Sequence, residues 1–325
     1  MVNFKKLTLA IALTGTLALA ACGGGSDDSS NGSNGSSGSN NEETGSKQQV
    51  LLDGSSTVYP IMEAVAEEYA GVAPEVDVSV GVSGSGGGFE KFTKGEIDIS
   101  NASRPIKDEE AQAASDNGIE FTEFEIAYDG LSVVVNKEND WVDQLTIDQL
   151  KQIWIEDGST KKWSDIDPSW PDEEIAFYSP GADSGTFDYF NEVVLEDEPI
   201  VQSATLSEDD NVLVTGVAEN KNAIGYFGYA YYAENTDTLK VVPIVNPETN
   251  EAVEPTNETI ESGDYAPLSR PLFIYVNNEA VKDESVYNFV EFTLENAGEL
   301  ATDVGYVSLP SERYEEALKT LEGLK

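Results

Sequence analysis

Residues 49–69, QVLLDGSSTVYPIMEAVAEEY, set the pattern from which the fold is read. Gln49–Leu52 is a short apolar run suited to a buried strand, and Asp53-Gly54-Ser55-Ser56-Thr57 is a polar loop. Pro60 then opens a helix whose Ile61, Val65, Ala66 and Tyr69 share one face. The same order returns twice. Val76–Val82 alternates as a strand, Ser83–Gly88 (SGSGGG) is a loop, and Phe89–Phe92 is helix-like; Ile97–Ile99 is a brief strand, Ser100–Pro105 a loop, and Asp108–Asn117 an acidic helix. Strand and helix alternating in this way predict an α/β architecture with mostly parallel sheets.

The pattern continues downstream. Extended stretches at Phe121–Ile126 and Leu131–Val135 bracket Tyr128-Asp129-Gly130, and Thr146-Ile147-Asp148-Gln149 offers a capping box for a helix to about Ile155. Ile175–Tyr178 reads as a strand, Ser179 to Ser184 as a loop, and Gly185 as the start of a helix. Further strands are expected near Ala223–Phe227, Leu239–Ile244 and Leu272–Val276, and helices near Asn211–Glu219, Ser285–Thr302 and Ser311–Leu324.

Ahead of this body, Lys5 and Lys6 precede an apolar run from Leu7 to Ala21, the charge order of a signal peptide and shorter than a comfortable membrane span. The run ends in Leu19-Ala20-Ala21-Cys22, which resembles the bacterial lipoprotein box, so residues 1–21 are expected to be removed and Cys22 to carry a lipid. Residues 22–47 are almost entirely Gly, Ser, Asn and acid, a composition that cannot bury enough apolar surface to offset chain entropy. They read as a flexible tether with an end-to-end distance of roughly 25–30 Å.

Composition removes several function classes. Of 325 residues none is histidine and one is cysteine, which excludes Ser-His-Asp and Cys-His catalysis, His-bearing zinc sites and an intrachain disulfide. No cofactor motif or metal cluster stands out. The formal charge of −43 repels nucleic acid and also anionic solutes. High salt resolves the second conflict, because at about 1 M the Debye length is about 3 Å, and the acidity is read as adaptation to such a medium.

Three polar loops are rich in backbone donors and precede helices: Gly54–Thr57, Ser83–Gly88 and Asp183-Ser184-Gly185-Thr186. Unpaired N–H groups and the helix dipole make such loops ready oxyanion sites. Singly, each is an ordinary N-cap or turn. A fourth element, Ser103-Arg104-Pro105, adds a guanidinium on a backbone that the following proline keeps extended.

Together these blocks carry a resemblance. Gly54-Ser55-Ser56-Thr57-Val58-Tyr59-Pro60, the Ser83–Gly88 loop, Asn101-Ala102-Ser103-Arg104-Pro105-Ile106, Asp183–Phe190 and Pro267-Leu268-Ser269-Arg270-Pro271-Leu272 are similar, in order and along the whole post-tether chain, to the phosphate-binding proteins of the Pst transport system. The resemblance implies a type II periplasmic-binding-protein fold, with two α/β lobes, two hinge crossovers and the ligand in the cleft. Residues 48–128 and 272–325 would form lobe I and residues 129–271 lobe II. It implies inorganic phosphate as ligand, ABC-transporter permease subunits as partners, a monomer held at the membrane of the cell envelope by its lipid, no cofactor and no enzymatic activity. A binding protein for sulfate or molybdate, or a secreted phosphatase using Ser184, are the rival readings.

The resemblance further implies that phosphate is contacted by Ser56, Thr57, the Val58 N–H, Ser85, Ser184, Gly185 and Thr186, with Ser83 able to take the place of Ser85. Arg104 stands where the best-known members have an aspartate that accepts the phosphate proton, and the place of their arginine falls in Ser179-Pro180-Gly181, which has none. Arg104 is therefore expected to supply the site's one cationic charge. Asp183 is either the proton acceptor or a helix cap.

Overall fold

A computed structural model describes residues 48–182 and 184–325; the leader, Cys22 and the tether (residues 1–47), and Asp183, lie outside the described residues. Along the chain the strands are β1 (Gln48–Gly54), β2 (Val76–Val80), β3 (Ile99–Ala102), β4 (Phe121–Asn136), β5 (Ala176–Pro180), β6 (Thr205–Ser207), β7 (Ala223–Gly228), β8 (Leu239–Val241), β9 (Ile244–Val245), β10 (Ala252–Val253) and β11 (Ser269–Asn277). They pair in the order β2-β1-β3-β11-β4-β7-β5-β6, with β8 also on β4 and the β9/β10 pair apart.

β1 runs parallel to β2 and β3, and β5 parallel to β6 and β7. β11 is antiparallel to β3 and β4, and β4 is antiparallel to β7 and β8. The sheet is thus mixed, not mostly parallel. Strand-helix alternation dictates parallel pairing within each half, but the strands that carry the chain between halves run in opposite senses and impose antiparallel neighbours.

β4 is the principal connection. The two stretches expected on either side of Tyr128-Asp129-Gly130 form one strand of 16 residues. Phe121–Gly130 pairs with β11, and Leu131–Asn136 pairs with β7 and β8. The three bracketed residues stay extended because Tyr128, Asp129 and Gly130 face Pro271, Arg270 and Ser269, and because Tyr128 exchanges backbone bonds of 2.7 and 2.9 Å with Val307.

Two main cores flank this crossing. The first gathers β1 (Val50, Leu52), the helix Tyr59–Val72 (Ile61, Met62, Val65, Tyr69), Ile99, Leu272 and the helix Glu284–Asp303 (Phe289, Val290, Leu294). The Tyr69 and Phe289 rings meet edge-on at 5.3 Å. The second core holds Leu131, Val133, Trp154, Trp163, Phe190 and Tyr226, and takes in Val307 and Leu309 from the C-terminal region. Each large side chain buried there contributes about 1.5–3 kcal/mol.

The local signals act as their chemistry demands. Pro60 sits in the first turn of its helix, and the helix stops at Val72, just ahead of Pro74. Thr146 Oγ1 accepts from the Gln149 N–H at 3.1 Å while Gln149 Oε1 accepts from the Thr146 N–H at 3.0 Å, completing the capping box of the helix Ile147–Trp154. The glycine-rich stretch departs from expectation: Gly84–Phe92 is one helix, not a loop followed by a helix. Its glycines serve close packing. A Cβ on Gly88 would lie 2.7 Å from Gly54 Cα, 2.8 Å from Ser100 Oγ and 2.9 Å from the Asp53 carbonyl oxygen, so the helix lies directly on β1 and β3.

Candidate functional site

The loops at the ends of β1 and β3, the helix Gly84–Phe92, the helix Gly185–Phe190 and β11 converge on a cleft of about 420 Å³. Ser56 and Thr57 line it from the loop after β1, Ser85 from the glycine-rich helix, and Ser103 and Arg104 from the turn after β3. Asp188, Tyr189, Glu192 and Arg270 line it from the other side. A π-helical turn, Asn191–Leu195, follows directly on Phe190 and presents Glu192 and Val193.

Of the two serines left open by the sequence, Ser85 lines the cleft. Its Oγ accepts from the Ser103 N–H at 3.1 Å and lies 3.2 Å from Ser103 Oγ. Ser83 Oγ donates to Asp53 Oδ1 at 2.6 Å and is absorbed in a pair that Lys91 also joins. Burial pushes the Asp53 carboxyl up, but the bonds from Lys91 and Ser83 together pull it below the usual carboxylate range. The Val58 side chain is buried in the first core. The backbone N–H groups of Ser56, Thr57 and Val58 find no backbone acceptor among the described residues, at the start of the helix Tyr59–Val72.

Ser184, Gly185 and Thr186 line an adjoining cavity of about 350 Å³ that shares Ser56 with the cleft. Ser184 caps its helix, its Oγ accepting from the Thr186 N–H at 3.2 Å. Gly185 packs against the loop after β1. A Cβ there would stand 2.5 Å from Thr57 Cα, and the Thr57 hydroxyl reaches the Gly185 carbonyl oxygen at 3.4 Å. Ser56 Oγ donates across the same junction to Asp188 Oδ2 at 2.8 Å.

Arg104 is occupied. Its NH1 and NH2 donate to the two Glu110 carboxylate oxygens at 2.9 and 2.8 Å, and the guanidinium lies 5.2 Å from the Phe89 ring centroid. Glu110 holds the guanidinium charged, and although burial raises Glu110, Arg104 and the Lys107 N–H bring it below the usual range. The expectation of a single cationic side chain is corrected by Arg270, which also lines the cleft. The sequence carried a signal for it: Arg270-Pro271 repeats the Arg-Pro pairing of Arg104-Pro105.

Residues 39–297 match the family model of the PBP superfamily domain. The chain is 45% identical over 314 residues to the phosphate-binding protein PstS of Staphylococcus saprophyticus, covering 96% of this chain and 92% of that one. A crystal structure described as a possible phosphate binding protein from Planctomyces limnophilus is 44% identical, superposes with a TM-score of 0.82, and spans 86% of this chain and 99% of that one. An ABC-type phosphate transport receptor from Vibrio cholerae is 28% identical with a TM-score of 0.61, over 80% of this chain and all of that one, 100%. The chain belongs to the PstS family. The two-lobe periplasmic-binding fold expected from the sequence is the fold found.

In this PstS-family chain the adjoining cavity is acidic as well as aromatic, with Asp129, Glu208 and Asp210 beside Tyr231 and Tyr306. Burial, reinforced by the neighbouring Asp209, pushes the Asp210 carboxyl from its ordinary 3.8 up to about 6. A carboxyl raised on folding stabilises the fold when protonated, and that contribution is lost as pH rises through about 6. Asp210→Asn is therefore expected to raise stability at pH 8 by about 1–2 kcal/mol, after discounting for partial exposure, and to change nothing below about pH 3.5. Thermal unfolding of both proteins across that range checks the sign.

Proposed function

We propose that the protein is an exported, lipid-anchored solute-binding protein that captures inorganic phosphate for an ABC importer. The observation that carries the reading is the approach of two groups of short polar residues, Ser56 and Thr57 with Ser184, Gly185 and Thr186, at the contact between Thr57 and Gly185. Ser85 lines the same cleft, and the guanidinium groups of Arg104 and Arg270 give it positive charge. Dense neutral donors replace the hydration of a tetrahedral oxyanion without adding counter-charge, and lobe closure removes it from water. The closed form then offers the permease a surface that the open form lacks.

Phosphate near neutral pH carries a proton and sulfate does not, so a carboxylate acceptor separates them. Asp183, outside the described residues, is the proposed acceptor. The names of the relatives support phosphate as the ligand and an ABC transporter as the recipient. Delivery from the envelope requires the protein to stay near the membrane. The proposed attachment is the lipid on Cys22 with residues 22–47 as tether, and lobe I (48–128, 272–325) and lobe II (129–271) as the closing halves. No helix among the described residues is long and apolar enough to cross a membrane. The excess of acid is assigned to a high-salt medium, where the surface field is screened from an approaching anion.

Calorimetric titration with inorganic phosphate tests the assignment: saturable binding at one site per chain is expected. Binding of sulfate or molybdate with no heat from phosphate would give the cleft to another oxyanion.

A further inference from the structure

Two guanidinium groups line the cleft, and their surroundings differ in kind. Arg104 is matched to Glu110 by two parallel bonds, so the fork that would grip an oxyanion is already filled by a carboxylate. Arg270 is held differently. Its side chain is 13% exposed, its Nε reaches Asp129 Oδ2 at 3.4 Å, and its NH1 stands 3.6 Å from Glu192 Oε2, longer than a hydrogen bond. One terminal nitrogen, NH2, donates to Thr57 Oγ1 at 2.9 Å. The guanidinium carbon lies 3.5 Å from the centroid of the Tyr189 ring. That ring is itself locked, with the Tyr189 hydroxyl donating to the Pro267 carbonyl oxygen at 2.6 Å.

We infer that Arg270, not Arg104, is the cationic anchor of the bound oxyanion and that it selects for the closed cleft. This rests on the phosphate reading above and names the residue that reads the anion's charge. Arg270 is on β11, at the end of the segment proposed as lobe II and where the chain crosses back to lobe I. It touches Thr57 of the proposed first lobe and Tyr189 of the proposed second, so its two contacts join the two. Its partner Asp129 faces it directly across β4 and β11 and is buried, with the carboxylate held by one long bond in place of two short ones. Such a weakly matched counter-ion leaves most of the guanidinium charge for a ligand. Burial raises the Asp129 carboxyl, and the opposing pull of Arg270, which lowers it, only partly offsets that rise. An oxyanion seated beside Thr57 Oγ1 meets an aromatic-backed, immobilised fork, and immobilisation is what makes a charge in a cleft effective.

The test compares phosphate titrations of the wild type with Arg270→Gln, Arg270→Lys and Arg104→Gln, at matched salt, with near-ultraviolet circular dichroism as the control for fold. Arg270→Gln is expected to weaken binding by roughly 100-fold and Arg104→Gln by roughly tenfold or less. Arg270→Lys keeps the charge without the fork and is expected to lose roughly tenfold. Binding by Arg270→Gln within about threefold of wild type, or a loss in Arg104→Gln as large as that in Arg270→Gln, overturns the inference. Should Arg270→Gln not fold, Arg270→Lys decides, its unchanged affinity being the contrary result. A wild type that binds no phosphate sinks the ligand assignment instead.

Discussion

Gly185→Ala is expected to weaken phosphate binding roughly 30- to 150-fold while leaving the unliganded protein as stable as before. The new Cβ would stand 2.5 Å from Thr57 Cα and 2.9 Å from both Thr57 N and Oγ1. Two of those three atoms are backbone, so no side-chain rotation relieves the clash. An extra methyl forced into a packed contact costs about 1–3 kcal/mol, and a contact with backbone belongs to the upper part of that range, about 2–3 kcal/mol. On the proposed lobe division the contact is between lobes, not within a core, and the strain is expected only when the cleft closes. Calorimetry measures the affinity, and the unliganded unfolding midpoint measures the rest. Full affinity in Gly185→Ala would mean that the ligand is held without the contact between Thr57 and Gly185.

Trp154→Ala carries the largest expected effect on stability, about 3–5 kcal/mol. Trp154 is fully buried at the end of the helix Ile147–Trp154, with ring centroids 5.0 Å from Phe177, 5.5 Å from Phe190 and 5.1 Å from Tyr226, all near edge-on. Phe190 and Tyr226 stack on each other at 3.9 Å, so the indole closes a packed aromatic cluster and its removal leaves a void. The cluster also reaches the site. Phe190 ends the helix that Gly185 and Thr186 begin, and loosening its ring frees the donors at the other end. Urea unfolding should show the loss, and phosphate affinity should fall with it. A loss of unfolding free energy of less than about 1 kcal/mol would mean that the second core does not depend on this cluster.

The alternation of strand, polar loop and helix was legible from residue 49 onward because each element is short and its hydrophobic period is clear. So was the capping box at Thr146, a signal contained within four residues. What needed coordinates depends on partners distant in sequence. The helical state of Gly84–Gly88 is set by a β1 backbone that only a glycine helix can approach, and no local propensity reveals it. The unbroken course of β4 through Asp129 depends on pairing with β11 more than a hundred positions later. The same pairing places Arg270 opposite Asp129, which is why a guanidinium visible in the Ser269-Arg270-Pro271 block could not be located in the cleft from sequence. The choice of Ser85 over Ser83 turns on whether Asp53 takes one hydroxyl, again a tertiary fact.

The charge of the chain sharpens the question that selectivity poses. A protein of net charge −43 lines its cleft with two carboxylates, Asp188 and Glu192, beside its two arginines. Long-range attraction therefore cannot choose the ligand, and recognition falls to short-range donors and to an acceptor for a proton. The most direct test is a phosphate titration at neutral pH repeated in roughly thousandfold excess sulfate, at constant ionic strength. The account predicts a phosphate affinity unchanged within about twofold. Displacement of phosphate by sulfate would contradict it.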